Sequence, residues 1–184
     1  MKALTAYGQS IFGDDFCDDV IKLASHLPEL DGAVNDGEVN SYRRCKIRWI
    51  TPNRDSEFIY SALDQAFRDV NRDRFGFDID FIPEIQFTEY DESYQGNFDW
   101  HSDTVWTGSK AYNRKLSMSI QLSPSTSYVG GDLLFRGEAQ MPAEEVRPRG
   151  TVIIFPSFVE HCVTPVTQGK RQSLVAWMEG PNFR

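Results

Sequence analysis

The sequence has 184 residues, of which 40% are hydrophobic and 25% are charged, and its formal net charge is −8 at pH 7. This length predicts one folded domain with a substantial core rather than two domains. The acidic balance makes nucleic acid an unfavourable partner, because binding to a phosphate backbone normally requires a basic surface. Three cysteines are too few for a disulfide framework, and no apolar run reaches the ~18 residues of a membrane span. We therefore expect a cytoplasmic protein without a membrane association.

The first half of the chain predicts two helices and one strand. Residues 14–27 place apolar side chains at helical spacing behind two acidic residues, which suit the N-terminal end of a helix dipole. Residues 30–42 are rich in Gly, Asp and Asn and predict a surface loop, whereas residues 44–50 alternate as in a strand. A second helical stripe of apolar residues covers 55–71.

The second half predicts short strands joined by turns, including a hairpin over residues 160–178 whose turn is expected at 167–170. The other expected strands are 78–82, 85–90, 115–122, 132–135 and 150–156. Two helices followed by short strands indicate an α+β, mainly β fold, either an antiparallel barrel or a double-sheet jelly roll backed by the helices.

The strand at 115–122 has two unlike faces. One face is apolar, and the other carries Ser117, Ser119 and Gln121, which are polar but uncharged. Such a face could be solvated, and it could equally line a cavity that binds a polar ligand.

A candidate metal site lies at His101 and Asp103, which project from the same face of an extended segment because they are two residues apart. His161, from a distant strand, would complete a 2-His-1-carboxylate set, which leaves open positions and suits Fe(II) in an oxygenase. The competing interpretation is an ordinary strand end with His161 as a core histidine. The remaining histidine, His26, lies near the end of the first predicted helix, where a histidine is favourable without a ligand role.

Arg171 strengthens the metal interpretation. In the predicted hairpin it lies across from Val166, roughly 17 Å from His161 at ~3.3 Å per residue. The planar fork of an arginine matches a carboxylate in bidentate fashion. The spacing therefore suits 2-oxoglutarate bound to iron at one end and to Arg171 at the other.

Several segments now identify a family by resemblance. The segments that carry the resemblance are FTEYD (87–91), FDWHSDT (98–104), RKLSMSIQLS (114–123), YVGGDL (128–133) and GTVIIFPSFVEHCVTPVTQGKRQSLVAW (150–177). They resemble the 2-oxoglutarate/Fe(II)-dependent dioxygenases of the prolyl 4-hydroxylase-like group, specifically over about residues 86–184 and more loosely in the first helix.

The resemblance implies a double-stranded β-helix, or jelly roll, flanked by N-terminal helices. We expect one domain over residues 1–184, with a helical N-terminal part at about 1–80 and a jelly-roll core at about 81–184.

The resemblance also implies roles for individual residues. His101, Asp103 and His161 match the iron ligands, and Arg171 matches the residue that pairs with the distal carboxylate of 2-oxoglutarate. Four further residues match positions near the co-substrate: Tyr90, Ser173, Gln121 and Trp177. Tyr90 and Trp177 could instead be core aromatics, and Gln121 stands where some relatives carry a tyrosine, which leaves its role open.

The implied cofactor set is Fe(II), 2-oxoglutarate as co-substrate and O₂, with ascorbate as an optional addition. The implied reaction couples oxidative decarboxylation of 2-oxoglutarate to hydroxylation of a peptidyl proline in a peptide or protein substrate. The alternatives are hydroxylation of a free amino acid or other small metabolite, a non-catalytic sensor of metal or 2-oxoglutarate, and a zinc hydrolase with the same ligands. The oligomeric state is left open. An aromatic set could form a rim for the substrate or simply pack: Tyr94, Phe98, Trp100 and Trp106.

Overall fold

The computed structural model describes residues 5–32, 42–104 and 111–183, and the structural statements below concern these residues. They contain three α-helices: α1 (Asp14–Ser25), α2 (Glu57–Val70) and α3 (Ala143–Val146). The strands are β1 (Ala6–Gly8), β2 (Leu30–Asp31), β3 (Arg43–Arg44), β4 (Lys46–Ile50), β5 (Ile85–Asp91), β6 (Asn97–His101), β7 (Tyr112–Gln121), β8 (Tyr128–Gly130), β9 (Leu133–Phe135), β10 (Val152–Pro156), β11 (His161–Val163) and β12 (Val166–Pro181).

In the described ranges, the strands form two antiparallel sheets. The larger sheet has the order β1-β10-β7-β12-β5-β4-β2, and β8 pairs additionally with β12. The smaller sheet has the order β3-β6-β11-β9. This arrangement confirms the predicted mainly β class, with antiparallel strands distributed over two sheets.

The apolar core lies between the helices and one face of the larger sheet. Buried side chains of α1 and α2, such as Val20 and Phe67, belong to one cluster with Leu116, Ile120 and Leu174 from the central strands. Successive residues of a strand point to opposite faces, so the alternate residues of β7 and β12 point away from this cluster. The opposite face of the larger sheet can therefore carry polar side chains.

The N-terminal part of the chain is not only helical. Strand β1 pairs with β10 and strand β4 pairs with β5, so residues before 80 contribute strands near both edges of the larger sheet. Leu30–Asp31 of the predicted surface loop forms β2, which pairs with β4. The rest of that loop is mostly outside the described residues.

The predicted hairpin at 160–178 is wrong. Strand β12 continues through the expected turn, where Gly169 pairs with Tyr128 of β8. Gly169 has φ +70°, and a Cβ at this position would lie 2.0 Å from the carbonyl oxygen of Ser127. The glycine therefore marks a close approach of two backbones rather than a turn. As a consequence, Arg171 pairs with Tyr90 of β5 and not with Val166.

The predicted strand at 78–82 is also wrong, because the structure has only an isolated bridge between Phe81 and Glu179 there. The following residue, Pro83, has no N–H to continue a ladder. Among the described helices, none combines the length and the apolar composition needed to cross a membrane.

Candidate metal centre and co-substrate pocket

The three predicted metal ligands lie together where the two sheets meet. His101 at the end of β6 and His161 at the start of β11 are direct cross-strand partners. The Nε2 atoms of His101 and His161 lie 3.7 Å and 3.6 Å from the two carboxylate oxygens of Asp103. One potential ligand atom from each residue falls within 4.8 Å of the others. These separations allow three ligand atoms to share one ion at about 2 Å.

Both imidazoles are oriented by backbone carbonyl groups. The Nδ1–H of His101 donates to the carbonyl oxygen of Asp99 at 2.7 Å, and the Nδ1–H of His161 donates to that of Val159 at 2.9 Å. Since a carbonyl oxygen can only accept, the proton of each neutral ring lies on Nδ1 and the lone pair lies on Nε2. Each ring therefore presents a ligand atom toward Asp103, as metal-binding histidines do.

Two serines position Asp103, one through its carboxylate and the other through its backbone. Its Oδ2 accepts a hydrogen bond from the Ser117 hydroxyl at 2.7 Å, and the Ser117 and Ser157 hydroxyl oxygens are 2.9 Å apart. The backbone N–H of Asp103 donates to the Ser157 carbonyl oxygen at 2.8 Å. Burial acts to raise the pKa of Asp103, but His161, His101 and the Ser117 hydroxyl together hold that pKa below its ordinary value. The Asp103 carboxylate is therefore ionised at neutral pH and available as a metal ligand.

His101 is a neutral ligand at neutral pH. Burial and, to a smaller extent, the neighbouring His161 lower the pKa of His101 to about 4. The ring of Phe98 stacks on His101 at 3.6 Å between centroids and covers one face of the imidazole. Two imidazoles and one carboxylate fit a divalent iron ion, because nitrogen and oxygen donors of this kind form its usual ligand set in oxygenases.

The triad opens into a cavity of about 770 Å³ between the two sheets. Besides the triad, its wall includes four residues of the larger sheet that the sequence singled out: Tyr90, Arg171, Ser173 and Trp177. Arg171, Ser173 and Trp177 share the polar face of β12 because they lie two and four positions apart along the strand. The cavity is large enough for a small co-substrate and part of a second substrate.

Arg171 is the most unusual of these residues because it is only 1% exposed. Its Nε–H donates to the Gln121 side-chain oxygen at 3.1 Å, and its guanidinium carbon lies 5.5 Å from the centre of the Tyr90 ring. Within the described part of the chain, no carboxylate lies at ion-pair distance from Arg171. A buried charge without a counter-charge is costly, so this end of the cavity fits an anionic group such as a carboxylate.

The four predicted co-substrate residues occupy different places. Tyr90 is the cross-strand partner of Arg171, and Ser173 follows on the same face of β12. Gln121 lies behind Arg171 and contacts its guanidinium instead of the cavity. Trp177 lies at the other end of this face, where its cross-strand partner is Ser117. Its position is therefore level with the metal ligands rather than with Arg171.

The predicted aromatic rim is only partly at the cavity. Of its members, Phe98 lines the cavity. Trp100 packs under the guanidinium of Arg136 at 4.4 Å, and the Tyr94 hydroxyl donates to the Glu89 carbonyl oxygen. Trp106 lies outside the described residues. The aromatic pattern by itself does not identify the substrate contacts.

The sequence interpretation missed several residues at the site. Ser117 was noted on the uncharged polar face of β7, but its contact with Asp103 was not predicted, and nothing in the local pattern singled out Ser157. Two further arginines, Arg43 and Arg114, also line the cavity. Both lie at the edges of predicted strands, where a charged residue is normally expected to face solvent.

Comparisons with known proteins agree with this geometry. The family model of the 2OG-Fe(II) oxygenase superfamily matches residues 85–179. A PKHD-type hydroxylase of Synechococcus sp. (strain CC9605) is 37% identical over 83 residues, which are 45% of this chain and 36% of that protein. The aligned part of the chain thus spans about a third of the length of this curated relative.

Two solved structures share the fold. A Pseudomonas putida prolyl-4-hydroxylase superposes with a TM-score of 0.73 at 19% identity and covers 96% of this chain and 93% of its own. A Trichoplax adhaerens prolyl hydroxylase, solved with a peptide fragment of hypoxia inducible factor, gives a TM-score of 0.75 at 16% identity and covers 96% of this chain and 84% of its own. These likenesses confirm the predicted jelly roll. Together with the family match over more than half of its residues, they place the chain: it belongs to the 2OG-Fe(II) oxygenase superfamily.

Proposed function

We propose that the chain is a non-haem Fe(II) oxygenase that couples oxidative decarboxylation of 2-oxoglutarate to hydroxylation of a peptidyl proline. The observation that carries this proposal is the buried guanidinium of Arg171, which has no acid partner among the described residues and shares one cavity with a 2-His-1-carboxylate triad. A metal triad alone would also suit a zinc hydrolase. The unpaired arginine specifically favours a co-substrate with a carboxylate far from its metal-binding end.

The triad and Arg171 have separate roles in this function. When bound, Fe(II) would activate O₂, which is the oxidant, and 2-oxoglutarate would supply two electrons through its decarboxylation to succinate and CO₂. His101, His161 and Asp103 hold the ion through three donors and leave its cavity side open. Arg171 binds the distal carboxylate of the co-substrate, which fixes the orientation of the whole molecule.

Hydroxyl groups beside Arg171 complete the co-substrate site. Burial raises the pKa of Tyr90, so its phenol stays protonated and can donate a hydrogen bond. Ser173 is 1% exposed and provides a second hydroxyl on the same face of β12. The surrounding walls keep bulk water away from the charged groups, which strengthens each of these interactions.

The choice of a peptide substrate is supported by the relatives. The Synechococcus protein is named a hydroxylase of the PKHD type, and the Trichoplax adhaerens enzyme is a prolyl hydroxylase solved with a peptide fragment. A free amino acid is the second candidate. It is favoured by Arg114, another cavity arginine without an acid partner among the described residues.

The decisive experiment measures succinate formation with Fe(II) and 2-oxoglutarate, together with mass spectrometry of proline-containing peptides. We expect substrate-dependent succinate, peptides heavier by one oxygen atom, and loss of both signals in His161→Ala. Activity that zinc alone supports without 2-oxoglutarate would instead identify a hydrolase. Tight binding of metal and 2-oxoglutarate without any turnover would identify a sensor.

The role of Arg171 is tested by Arg171→Ala. Removing a charge-assisted hydrogen bond typically weakens binding by roughly 10- to 100-fold, so the 2-oxoglutarate concentration needed for half-maximal rate should rise by that factor. Metal affinity, measured by calorimetry with Co(II), should change little. An equal loss of metal and 2-oxoglutarate affinity would mean that the arginine supports the fold rather than the co-substrate.

A further inference from the structure

Arg114 is a second cavity cation, and its guanidinium makes no hydrogen bond or ion pair within the described residues. It lies on β7, lines the same cavity as the triad, and stacks on the ring of Trp177 at 3.7 Å. Burial lowers the pKa of Arg114, while Asp103, Glu179 and Glu84 act in the opposite direction without reaching ion-pair distance in the described structure. The guanidinium is therefore partly desolvated and still has hydrogen-bond donors to offer.

The indole N–H of Trp177 independently indicates that a hydrogen-bond acceptor is missing at this place. The residue is 5% exposed and lines the cavity, and its indole N–H has no hydrogen-bond acceptor among the described residues. A buried N–H without an acceptor is uncommon in a native protein and costs free energy. Since Arg114 lies over the same ring, the donors of two side chains that have no acceptor among the described residues meet at one place in the cavity wall.

These donors lie on the other side of the metal site from Arg171. Strand β7 gives the order: Gln121 contacts Arg171, Ser117 contacts Asp103, and Arg114 follows three residues beyond Ser117. The metal triad thus lies between the two arginines. A co-substrate that extends from the ion to Arg171 leaves the side of Arg114 and Trp177 to the second substrate.

The charge balance of the cavity favours an anion on that side. Among the described residues, its lining contains three arginines, Arg43, Arg114 and Arg171, against two carboxylates, Asp103 and Glu84. A divalent ion and a dianionic co-substrate cancel each other's charge. One positive charge then remains, although the chain as a whole is acidic, so a group with a single negative charge completes the site.

We propose that Arg114, together with the indole N–H of Trp177, binds a carboxylate of the substrate that is adjacent to the hydroxylated ring or chain. This proposal rests on the oxygenase function proposed above and specifies its substrate class. The carboxylate has two sources, the α-carboxylate of a free amino acid and the side chain of an acidic residue next to proline in a peptide. Arginine and an indole N–H suit either source, because both groups only donate hydrogen bonds.

The test uses two matched pairs of probes that differ in one negative charge. The first pair is L-proline and L-prolinamide, and the second is acetyl-Ala-Pro-Asp-Ala-amide and acetyl-Ala-Pro-Asn-Ala-amide. Turnover is followed as succinate formation with Fe(II) and 2-oxoglutarate. Binding is followed separately by the NMR signal of the Trp177 indole N–H in protein loaded with Zn(II) and 2-oxoglutarate, where no turnover occurs. That signal is assigned with Trp177→Phe.

We expect the charged member of at least one pair to bind and to shift the Trp177 signal. Arg114→Gln should weaken this binding by roughly 10- to 100-fold, should leave the uncharged member unaffected, and should be partly rescued by Arg114→Lys. Arg136→Gln is the matched control, because Arg136 also stacks on a tryptophan, Trp100, but lies outside the cavity lining. The control should bind every probe as the wild type does.

Three results would overturn the proposal. They are equal binding of the charged and uncharged probes, no response of the Trp177 signal to any probe, and a loss of 2-oxoglutarate affinity in Arg114→Gln, which would assign this arginine to the co-substrate. Failure of the oxygenase function is recognised differently. The charged probe would then still bind at Trp177, while no probe would give succinate in the wild type.

Discussion

The two histidines of the triad are prepared for metal binding before any ion arrives. Each donates from Nδ1 to a backbone carbonyl two residues earlier in the chain, Asp99 for His101 and Val159 for His161. Such second partners fix the tautomer and the ring orientation of metal-binding histidines. The free energy needed to orient the ligands is therefore supplied by the fold, which favours tight binding of the ion.

The first prediction concerns the protonation of His101. Because burial and His161 lower its pKa to about 4, its ring in the metal-free protein should titrate well below the ordinary histidine value of 6.5. The measurement is the pH dependence of the ring C–H signals in NMR spectra. A midpoint near 6.5 would contradict the prediction and would mean that the ring is more hydrated than its burial indicates.

The same shift predicts how stability depends on pH. The unfolded imidazole takes up a proton below about pH 6.5, whereas the folded one does so only near pH 4. Protonation therefore favours the unfolded state, and the free energy of unfolding of the metal-free protein should decrease as pH falls from 6.5 to 4. Urea denaturation across this range measures the slope, which His101→Gln should reduce. Asp103, whose pKa is below its ordinary value, contributes only at lower pH.

Ser117 carries a prediction about metal binding. Its hydroxyl is the side-chain donor to Asp103, and loss of such a partner typically weakens metal binding by about 10- to 100-fold. We expect this loss in Ser117→Ala, measured by calorimetry with Co(II). Ser119→Ala is the control, because Ser119 lies on the same strand face without a hydrogen bond to the triad. Equal weakening in both variants would indicate a general effect on the strand.

At the level of single residues, the sequence contained the strongest signals for the proposed ligands. His101, Asp103, His161 and Arg171 were found because their chemistry is rare and their spacing is restrictive. The supporting contacts were harder to find, because Ser117 contacts Asp103 through the fold rather than through the sequence. Arg114 was missed because a charged residue near a strand end is ordinarily a surface residue.

At the level of elements, β12 organises the site. It pairs with β5 and β7 along most of its length and with β8 at its start. Its polar face therefore forms the floor of the cavity from Arg171 to Trp177. The predicted turn at 167–170 failed because a glycine in a strand can signal a close backbone contact as well as a turn. The local sequence does not distinguish these two cases.

Gly131 carries a prediction at this level. It has φ +65°, and a Cβ there would lie 2.8 Å from Cδ of Arg171. Gly131→Ala should thus both strain the backbone, by about 1–2 kcal/mol, and displace Arg171, which lowers the affinity for 2-oxoglutarate. Calorimetric titration with 2-oxoglutarate measures the affinity, and urea denaturation measures the stability.

The matched control is Gly137→Ala. Gly137 also has a positive φ, of +78°, but an added Cβ would meet no atom within 4 Å. This variant should lose a similar amount of stability and keep its affinity for 2-oxoglutarate. If both variants lost affinity equally, backbone strain alone would explain the effect, and the contact with Arg171 would be irrelevant.

At the scale of the whole molecule, the larger sheet separates an apolar side from a polar side. Helices α1 and α2 cover the first, and the metal ligands and the cavity occupy the second. Phe67, fully buried in α2, should therefore affect stability without touching the site. We expect Phe67→Ala to reduce the free energy of unfolding by about 3–5 kcal/mol, measured by urea denaturation, while Co(II) affinity is retained.

Phe58 on the same helix is the control for this prediction, because its side chain is 41% exposed. Phe58→Ala should cost much less stability than Phe67→Ala. A large loss of Co(II) affinity in folded Phe67→Ala would contradict the separation of the two sides. It would show that packing under α2 determines the geometry of the metal ligands.

The overall architecture was predictable because periodicity and composition report on burial. Alternation along residues 115–122 identified the two faces of β7, and the helical stripes identified α1 and α2. The order of the strands was not predictable, because pairs such as β1 with β10 depend on contacts between distant parts of the chain. The net charge of the chain did not predict the arginines of the cavity, because it sums the acidic surface and the arginine-rich interior into one number. The domain boundaries at 1 and 184 and the cytoplasmic location stay predictions.

The even separation of six positions from Arg171 to Trp177 limits how this protein can change during evolution. A single inserted residue between them would move every later side chain of the strand to the opposite face of the sheet. Trp177 would then face the helices, and Met178 would face the metal triad. Length changes in this span are therefore tolerated only in pairs, or with a compensating bulge such as the irregularity already present between Met178 and Glu179. Homologous chains should accordingly conserve the parity of this interval more strictly than the identity of the residues within it.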